Sequence, residues 1–359
     1  MNILHIYPKN NELIQSHVQL LVEGLKQSAT VVVADNTKSF YQQARDVQPD
    51  IIHIHGANQM VQTKAMRCAR KLNIRTVVTP HGQLQPFALE LLPPQQRAAM
   101  SLVQSEFIEG AYAVITMGKM ERLGFMALGW NPRVEEVHNA VTTNTITAAE
   151  MAAQTFAIYQ KVLDSNTLEL MDDLTLRALK VIIKAGIMGD KRWVEKEAQE
   201  VDARLIDWRR LLIYAEHEHI SNYTDYGIHV LDYSSPLIDT TKIPAYFPRR
   251  FQRPRPIKEL IGDYQGDETD YLMRMIRQIL KAPTLLNMME LTRELYRDNV
   301  NDDQLAEALE EANLTKRAAR LIQVLKEQVL LDEGYMPIDP LDDRQTDVLR
   351  NALKNHLKI

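Results

Sequence analysis

Asp50-Ile51-Ile52-His53-Ile54-His55-Gly56 is the stretch from which the fold can be read. It is a nearly continuous β-branched run closed by glycine, the texture of a strand buried on both faces. Residues 57–72 then have helix length, and Arg75-Thr76-Val77-Val78-Thr79 is a second run of the same kind. The alternation extends outward in both directions. Upstream, residues 2–7 and 30–34 read as strands, with Leu13, Val18, Leu21 and Leu25 at roughly helical spacing between them. Downstream, residues 113–117 and 134–137 read as two more. Strands separated by helices point to a parallel sheet covered on both sides, and right-handed crossovers make it a doubly wound α/β, Rossmann-like domain over residues 1–146.

Composition sets outer limits. The chain has 359 residues, 45% hydrophobic and 25% charged, which fits a globular protein of two or three domains and argues against disorder or fibrous repeats. No apolar run approaches the ~20 residues of a membrane helix, and the first nine residues lack the basic and apolar blocks of a signal peptide. The one cysteine, Cys68, excludes an internal disulfide framework and any cysteine-based metal site, so a reducing cytoplasm is the expected location. Net charge is −5, split as +2 over residues 1–146 and −7 over the rest. That balance argues against a protein coated in nucleic acid.

After residue 146 the alternation stops. Helices are predicted over 147–163, 174–185, 193–219, 267–280, 283–297, 303–312 and 315–330, with one strand over 228–233. A Pro- and Arg-rich segment, 244–256, reads as a linker between a helical domain at 147–260 and a second at 261–359. The helices at 303–312 and 315–330, followed by a wing strand at 334–338, resemble a winged-helix module; a generic packed hairpin is the alternative. Lys316, Arg317 and Arg320 could meet phosphates, as could Arg249, Arg250, Arg253 and Arg255. Glu307, Glu310 and Glu311 on the preceding helix favour a protein partner over a nucleic acid. Glu216-His217-Glu218-His219 spreads around a helix axis, unlike the i,i+4 pairs of zinc motifs, and reads as a solvated helix end.

Candidate chemistry lies in the first part. In open α/β sheets ligands sit beyond the carboxyl ends of the strands. Four such ends here carry polar or glycine-containing segments: Tyr7-Pro8-Lys9-Asn10-Asn11, His53-Ile54-His55-Gly56, Thr79-Pro80-His81-Gly82 and Thr116-Met117-Gly118-Lys119. Strand alternation puts His53 and His55 on one side and Ile54 on the other. Gly56 and Gly82 allow tight turns and close backbone approach. His81, between proline and glycine at a strand end, is the candidate catalytic residue, able to accept a hydroxyl proton or to bond a phosphate oxygen. Asn10, Asn11, His55, Gly56, Gly82, Lys119 and Arg122 are the candidate substrate-binding residues. His53, His55 and His81 have no acidic residue close by in sequence, and no metal site is expected.

Several of these segments resemble family-4 glycosyltransferases. Pro49-Asp50-Ile51-Ile52-His53-Ile54-His55-Gly56 is similar to one family segment, and residues 76–89, with Thr79-Pro80-His81-Gly82 at their centre, to a second. Residues 111–122, with Glu121 in the glutamate place, and Val137-His138-Asn139-Ala140-Val141 are similar to two more. The resemblance implies the amino-terminal, acceptor-side half of the two-Rossmann GT-B architecture, with His81 near the reacting sugar and donor phosphates. It also implies sugar transfer to a glycan or lipid-linked acceptor, of the kind that builds surface polysaccharide, with a nucleotide-sugar as substrate and no cofactor. The chain departs from the family in its first loop, which lacks glycine, and in Ala140 at the closing glycine. In its second half no Glu-x7-Glu donor signature occurs, so the donor-binding domain reads as replaced. Whether the chain is an enzyme is therefore left open. The alternative is a non-catalytic scaffold or sensor whose helical half binds a protein or nucleic-acid partner.

Overall fold

The computed structural model describes residues 1–35, 38–57, 59–262, 264 and 266–359. It divides into two compact units, one of residues 1–165, 244–249 and 359, the other of 166–243 and 250–358.

Unit 1 holds a six-stranded parallel sheet of β1 (Asn2–Ile6), β2 (Thr30–Val33), β3 (Ile51–His55), β4 (Arg75–Thr79), β5 (Ala113–Thr116) and β6 (Val134–Glu136), in the order β2-β1-β3-β4-β5-β6. This is the doubly wound α/β sheet expected, and the winding reverses between β1 and β3, the crevice where such sheets bind ligands. Its helices are α1 (Glu12–Leu25), α2 (Phe40–Val47), α3 (Met60–Leu72), α4 (Pro86–Glu90), α5 (Pro94–Glu109), α6 (Lys119–Leu128) and α7 (Ala148–Leu163). Strand alternation sorts the side chains into two cores. Leu4, Ile6, Ile52, Ile54, Val78 and Val114 pack under α2, α3, α5 and α6. Ile3, Ile51, Val77, Ala113 and Ile115 pack under α1 and α7. His5, His53, His55 and Thr79 share the parity of this second set.

Two boundaries differ from the sequence reading. The helix that opens at Thr147 is α7, part of unit 1: its Tyr159 and Val162 are fully buried on the sheet, so the unit ends at Ser165 rather than near 146. The Pro/Arg-rich segment is not a free linker either. Its part 244–249 belongs to unit 1, where Tyr246 donates from its hydroxyl to Glu135 at 2.6 Å and from its backbone N–H to Ser165 Oγ at 2.6 Å.

Unit 2 is built from α8 (Asp173–Met188), α9 (Glu195–Gln199), α10 (Trp208–His217), α11 (Ser221–Val230), α12 (Ile257–Ile261), α13 (Glu268–Lys281), α14 (Leu285–Leu295), α15 (Asp302–Glu311), α16 (Thr315–Val329) and α17 (Thr346–Asn355), with no strand among its described residues. The strand expected at 228–233 is the end of α11 and a turn. The long helix expected over 193–219 is broken into short turns before α10. The expected wing at 334–338 is a short 3-10 turn, Glu333–Tyr335, so α15 and α16 form a helical hairpin without a wing. Arg320 is held by Asp343 through paired bonds of 2.7–3.1 Å, which removes it from a phosphate-binding set.

Glycine and buried charge hold this unit together. A Cβ on Gly186 would lie 2.0 Å from the Tyr223 carbonyl oxygen, and one on Gly227 2.0 Å from that of Ile182, so α8 and α11 meet backbone to backbone. Lys184, fully buried, donates to the Leu330 carbonyl at 2.6 Å and to Asp332 at 2.8 Å. The Glu216–His219 run is not a solvated helix end. Glu218 is fully buried and faces His356 Nε2 at 3.0 Å, Glu216 pairs with Arg253, and His219 Nδ1 meets the Pro254 carbonyl at 2.9 Å. These three residues fasten the start of the 250–256 segment and the last helix.

Two predictions follow from these contacts. Gly186→Ala should lower the unfolding free energy by about 3 kcal/mol, the upper end of overpacking costs, because backbone must move to admit the methyl; a denaturant titration measures it. For His356, burial alone would lower the pKa, but the Glu218 carboxylate more than offsets it and the net shift is upward. A raised folded pKa stabilises fully below the unfolded value and is lost as pH rises through the folded value. The stability difference between the natural chain and His356→Gln should therefore be largest near pH 6 and shrink by pH 9.

Candidate active site

The carboxyl ends of β1, β3 and β4 gather five histidines. His5 and His53 are register partners on neighbouring strands. His55 lies two residues beyond His53, on the same face, with ring centroids 4.0 Å apart. His17 reaches in from α1, whose amino end is capped by Asn11 accepting from the Ile14 N–H at 3.1 Å. His81 follows β4 in a left-handed backbone conformation, φ +54°. That is uncommon for a side-chain-bearing residue and a mark of functional loops.

Hydrogen bonds link the rings into a chain. His5 Nδ1 meets His55 Nε2 at 3.0 Å, and His55 Nδ1 meets His81 Nε2 at 3.1 Å. His53 is saturated, with Tyr159 Oη at 2.5 Å from Nδ1 and Thr79 Oγ1 at 2.7 Å from Nε2. His17 Nδ1 lies 3.0 Å from Asn139 Oδ1, which also accepts from the Val141 N–H at 3.0 Å. An atom that accepts from a backbone N–H is oxygen, so His17 carries its proton on Nδ1 and leaves Nε2 bare.

Burial keeps the cluster neutral. It pushes the pKa of His53, His55 and His81 well below the ordinary imidazole value, and neighbouring imidazoles push the same way. His5 is lowered to about 3 by burial and by His17. His17 is lowered by burial against the raising effect of the Asn139 bond. A neutral imidazole donates at one nitrogen and accepts at the other. The chain from His5 to His81 therefore has two proton arrangements, one presenting N–H at His81 Nδ1 and the other a bare nitrogen there.

Glu121 holds the loop in place. Its carboxylate accepts from the Gly82 N–H at 2.5 Å and the Met117 N–H at 2.7 Å, tying the end of β4 to the start of α6. Burial raises its pKa while these two bonds lower it. Gly56 needs to be glycine on two counts: φ is +82°, and a Cβ would lie 2.6 Å from Gln62 Nε2. Gly82 has φ +76° and open space around a would-be Cβ, so its backbone is open to close approach on that side.

The expected site residues do not all converge. His81, half-buried, stands at the opening of the cluster beside Gly82. His55 is fully buried, with its nitrogens facing His5 and His81. Asn11 spends its side-chain oxygen on the α1 cap, and Asn10 accepts from Gln59 Nε2 at 3.1 Å. Lys119 and Arg122 are exposed on the first turn of α6. Three residues escaped the sequence reading. His5 could have been found from its parity on β1, whereas His17 and Tyr159 lie on helices whose rotation the sequence pattern leaves open.

Residues 20–140 match the family model of the glycosyl transferase 4-like domain. Unit 1 carries a glycosyltransferase 4-like domain. The match covers about a third of the chain and spans β2 to β6, with His53, His55, His81 and Glu121 inside it. No curated protein matches the chain. Among solved structures, the "S. aureus MnaA-UDP co-structure" is similar at 12% identity over 56% of this chain, with a TM-score of 0.30. The matched part spans 66% of that chain, just under two thirds of its length. No helix among the described residues is long and apolar enough to cross a membrane.

Glu121→Ala should strip two N–H groups of their acceptor at the glycosyltransferase-like loop. The expected loss is about 2–4 kcal/mol, at about 1–3 kcal/mol per stranded buried group with partial rehydration. Faster amide exchange at Gly82 and Met117 than elsewhere in the sheet would localise the effect.

Proposed function

We propose that unit 1 binds a phosphorylated sugar, of nucleotide-sugar type, at the carboxyl ends of β1, β3 and β4, and that the chain takes part in glycosyl transfer to a hydroxyl acceptor on a glycan or lipid-linked saccharide of the surface-polysaccharide kind. The observation that carries this reading is His81. It is the half-buried terminus of a hydrogen-bonded imidazole chain, held in a left-handed turn next to open glycine backbone, inside a segment that matches a glycosyltransferase 4-like domain. In one proton arrangement its Nδ1–H would bond a phosphate oxygen; in the other its bare nitrogen would take the proton of an attacking hydroxyl. The Gly82 backbone would let the ligand approach closely, with Lys119 and Arg122 offering positive charge at the start of α6. Unit 2, all helical among its described residues, supports no second nucleotide-binding sheet, so the reading leaves the donor partly to be held elsewhere.

That same helical character supports a second reading, in which the glycosyltransferase-like unit senses or displays a sugar ligand and unit 2 binds a protein, with nucleic acid the less favoured partner. Calorimetric titration with a panel of nucleotide-sugars and free nucleotides separates the two. Transfer chemistry expects binding that weakens about tenfold or more in His81→Ala, the size of one lost hydrogen bond to a charged group. A folded chain that binds none of the panel, yet retains a protein from pull-down through α15 and α16, would overturn the first reading in favour of the second.

A further inference from the structure

We propose that His17, His55 and His81 form a binding site for a divalent transition-metal ion of the zinc class. One ring nitrogen from each lies within 4.8 Å of the other two. The closest pair, His55 Nδ1 and His81 Nε2, is 3.1 Å apart. Imidazole nitrogens about 2.0–2.1 Å from a tetrahedral ion sit roughly 3.3 Å from one another, so this pair needs little movement to share one.

The surroundings are those of ligands rather than of a packed core. Metal-bound histidines commonly donate their other N–H to a fixed acceptor, which sets ring orientation and tautomer. His17 does this through Nδ1 to Asn139 Oδ1, an oxygen fixed in turn by the Val141 N–H, and its Nε2 is left to coordinate. His55 has His5 Nδ1 at 3.0 Å behind it as acceptor. With the ion in place, the His55 proton sits on Nε2, the His81 proton on Nδ1 and the His5 proton on its own Nε2. No proton enters or leaves the cluster. The alternative triad of His5, His53 and His55 also has its nitrogens close together. It is the poorer set because both nitrogens of His53 are held by hydroxyls outside the triad, Tyr159 and Thr79, whereas the coordinating Nδ1 of His55 faces only His81, itself a ligand. The sequence reading weighed His53, whose two nitrogens both meet hydroxyls, and did not include His17, whose Nδ1 meets Asn139 and leaves Nε2 to coordinate.

Three neutral imidazoles suit zinc, copper or nickel rather than magnesium or calcium. They leave the ion's full charge uncompensated, and only His81 of the three is not buried. The fourth position therefore opens on the His81 side and calls for an anionic oxygen. A phosphate group would supply it, which deepens the reading of the site as one for phosphorylated sugars and rests on that reading. The metal site itself does not.

The test uses the full chain without an affinity tag and without nucleotide. After exposure to zinc and removal of excess ion, metal analysis should find one ion per chain. Cobalt substitution should give the visible absorption of a tetrahedral site. His81→Ala, at the half-buried edge of the cluster, should abolish the cobalt spectrum. Asn139→Ala should weaken zinc about 10–100-fold, the usual effect of removing a supporting acceptor. Substoichiometric zinc in the natural chain, or full zinc retention in folded His81→Ala, would overturn the proposal. Because no nucleotide is present, neither result bears on nucleotide-sugar binding; adding inorganic phosphate to the cobalt form and finding its spectrum unchanged would overturn only the fourth-ligand step.

Discussion

Five imidazoles share one poorly hydrated space at the switch point of a parallel sheet, with no carboxylate among the described residues hydrogen-bonded to any of them. Burial there disfavours protonation, so the rings are neutral and their nitrogens must be matched donor to acceptor. That requirement explains features that look unrelated in the sequence. Tyr159 belongs to the sheet's unit because its hydroxyl answers His53. Asn139 is buried after β6 because it answers His17 while holding its own turn. His55 is closed between two other histidines, His5 and His81, and its proton position is tied to theirs.

The opening of the cluster is built with comparable economy. β4 ends in proline, histidine and glycine, two of them in left-handed conformations, and Glu121 reaches across from α6 to accept the amide that this geometry exposes. A buried carboxylate taking two backbone bonds fixes the loop without presenting free charge to the imidazoles. The outcome is a single half-buried side chain, His81, whose protonation pattern is set from behind. Such a group can donate or accept at its outer nitrogen, or share an ion with His17 and His55, while its backbone stays in place.

Unit 2 solves a different problem. It has no sheet among its described residues, and its cohesion comes from close helix contact at Gly186 and Gly227 and from buried ions that are each answered: Lys184 by Asp332, Glu218 by His356. In each pair one charge is fully buried and its partner reaches solvent, so removing the partner would strand a buried charge at high cost.

The sequence by itself determined the α/β character of the first unit, the six strands and the shared face of His53 and His55, because period-two alternation and β-branched runs are local signals that parallel sheets preserve. It also determined α8, α13, α14, α15 and α16 of the second unit. It did not determine where the units divide, since only packing shows α7 covering β3 and Tyr246 bonded to Glu135. It misread Glu216–His219 as solvent-facing because charged residues are buried only when a distant partner, here His356 or Arg253, arrives. The histidine cluster was decided by tertiary structure alone: His5, His17 and His81 come from a strand, a helix and a loop as much as 76 residues apart, and nothing in local pattern says that their rings will meet.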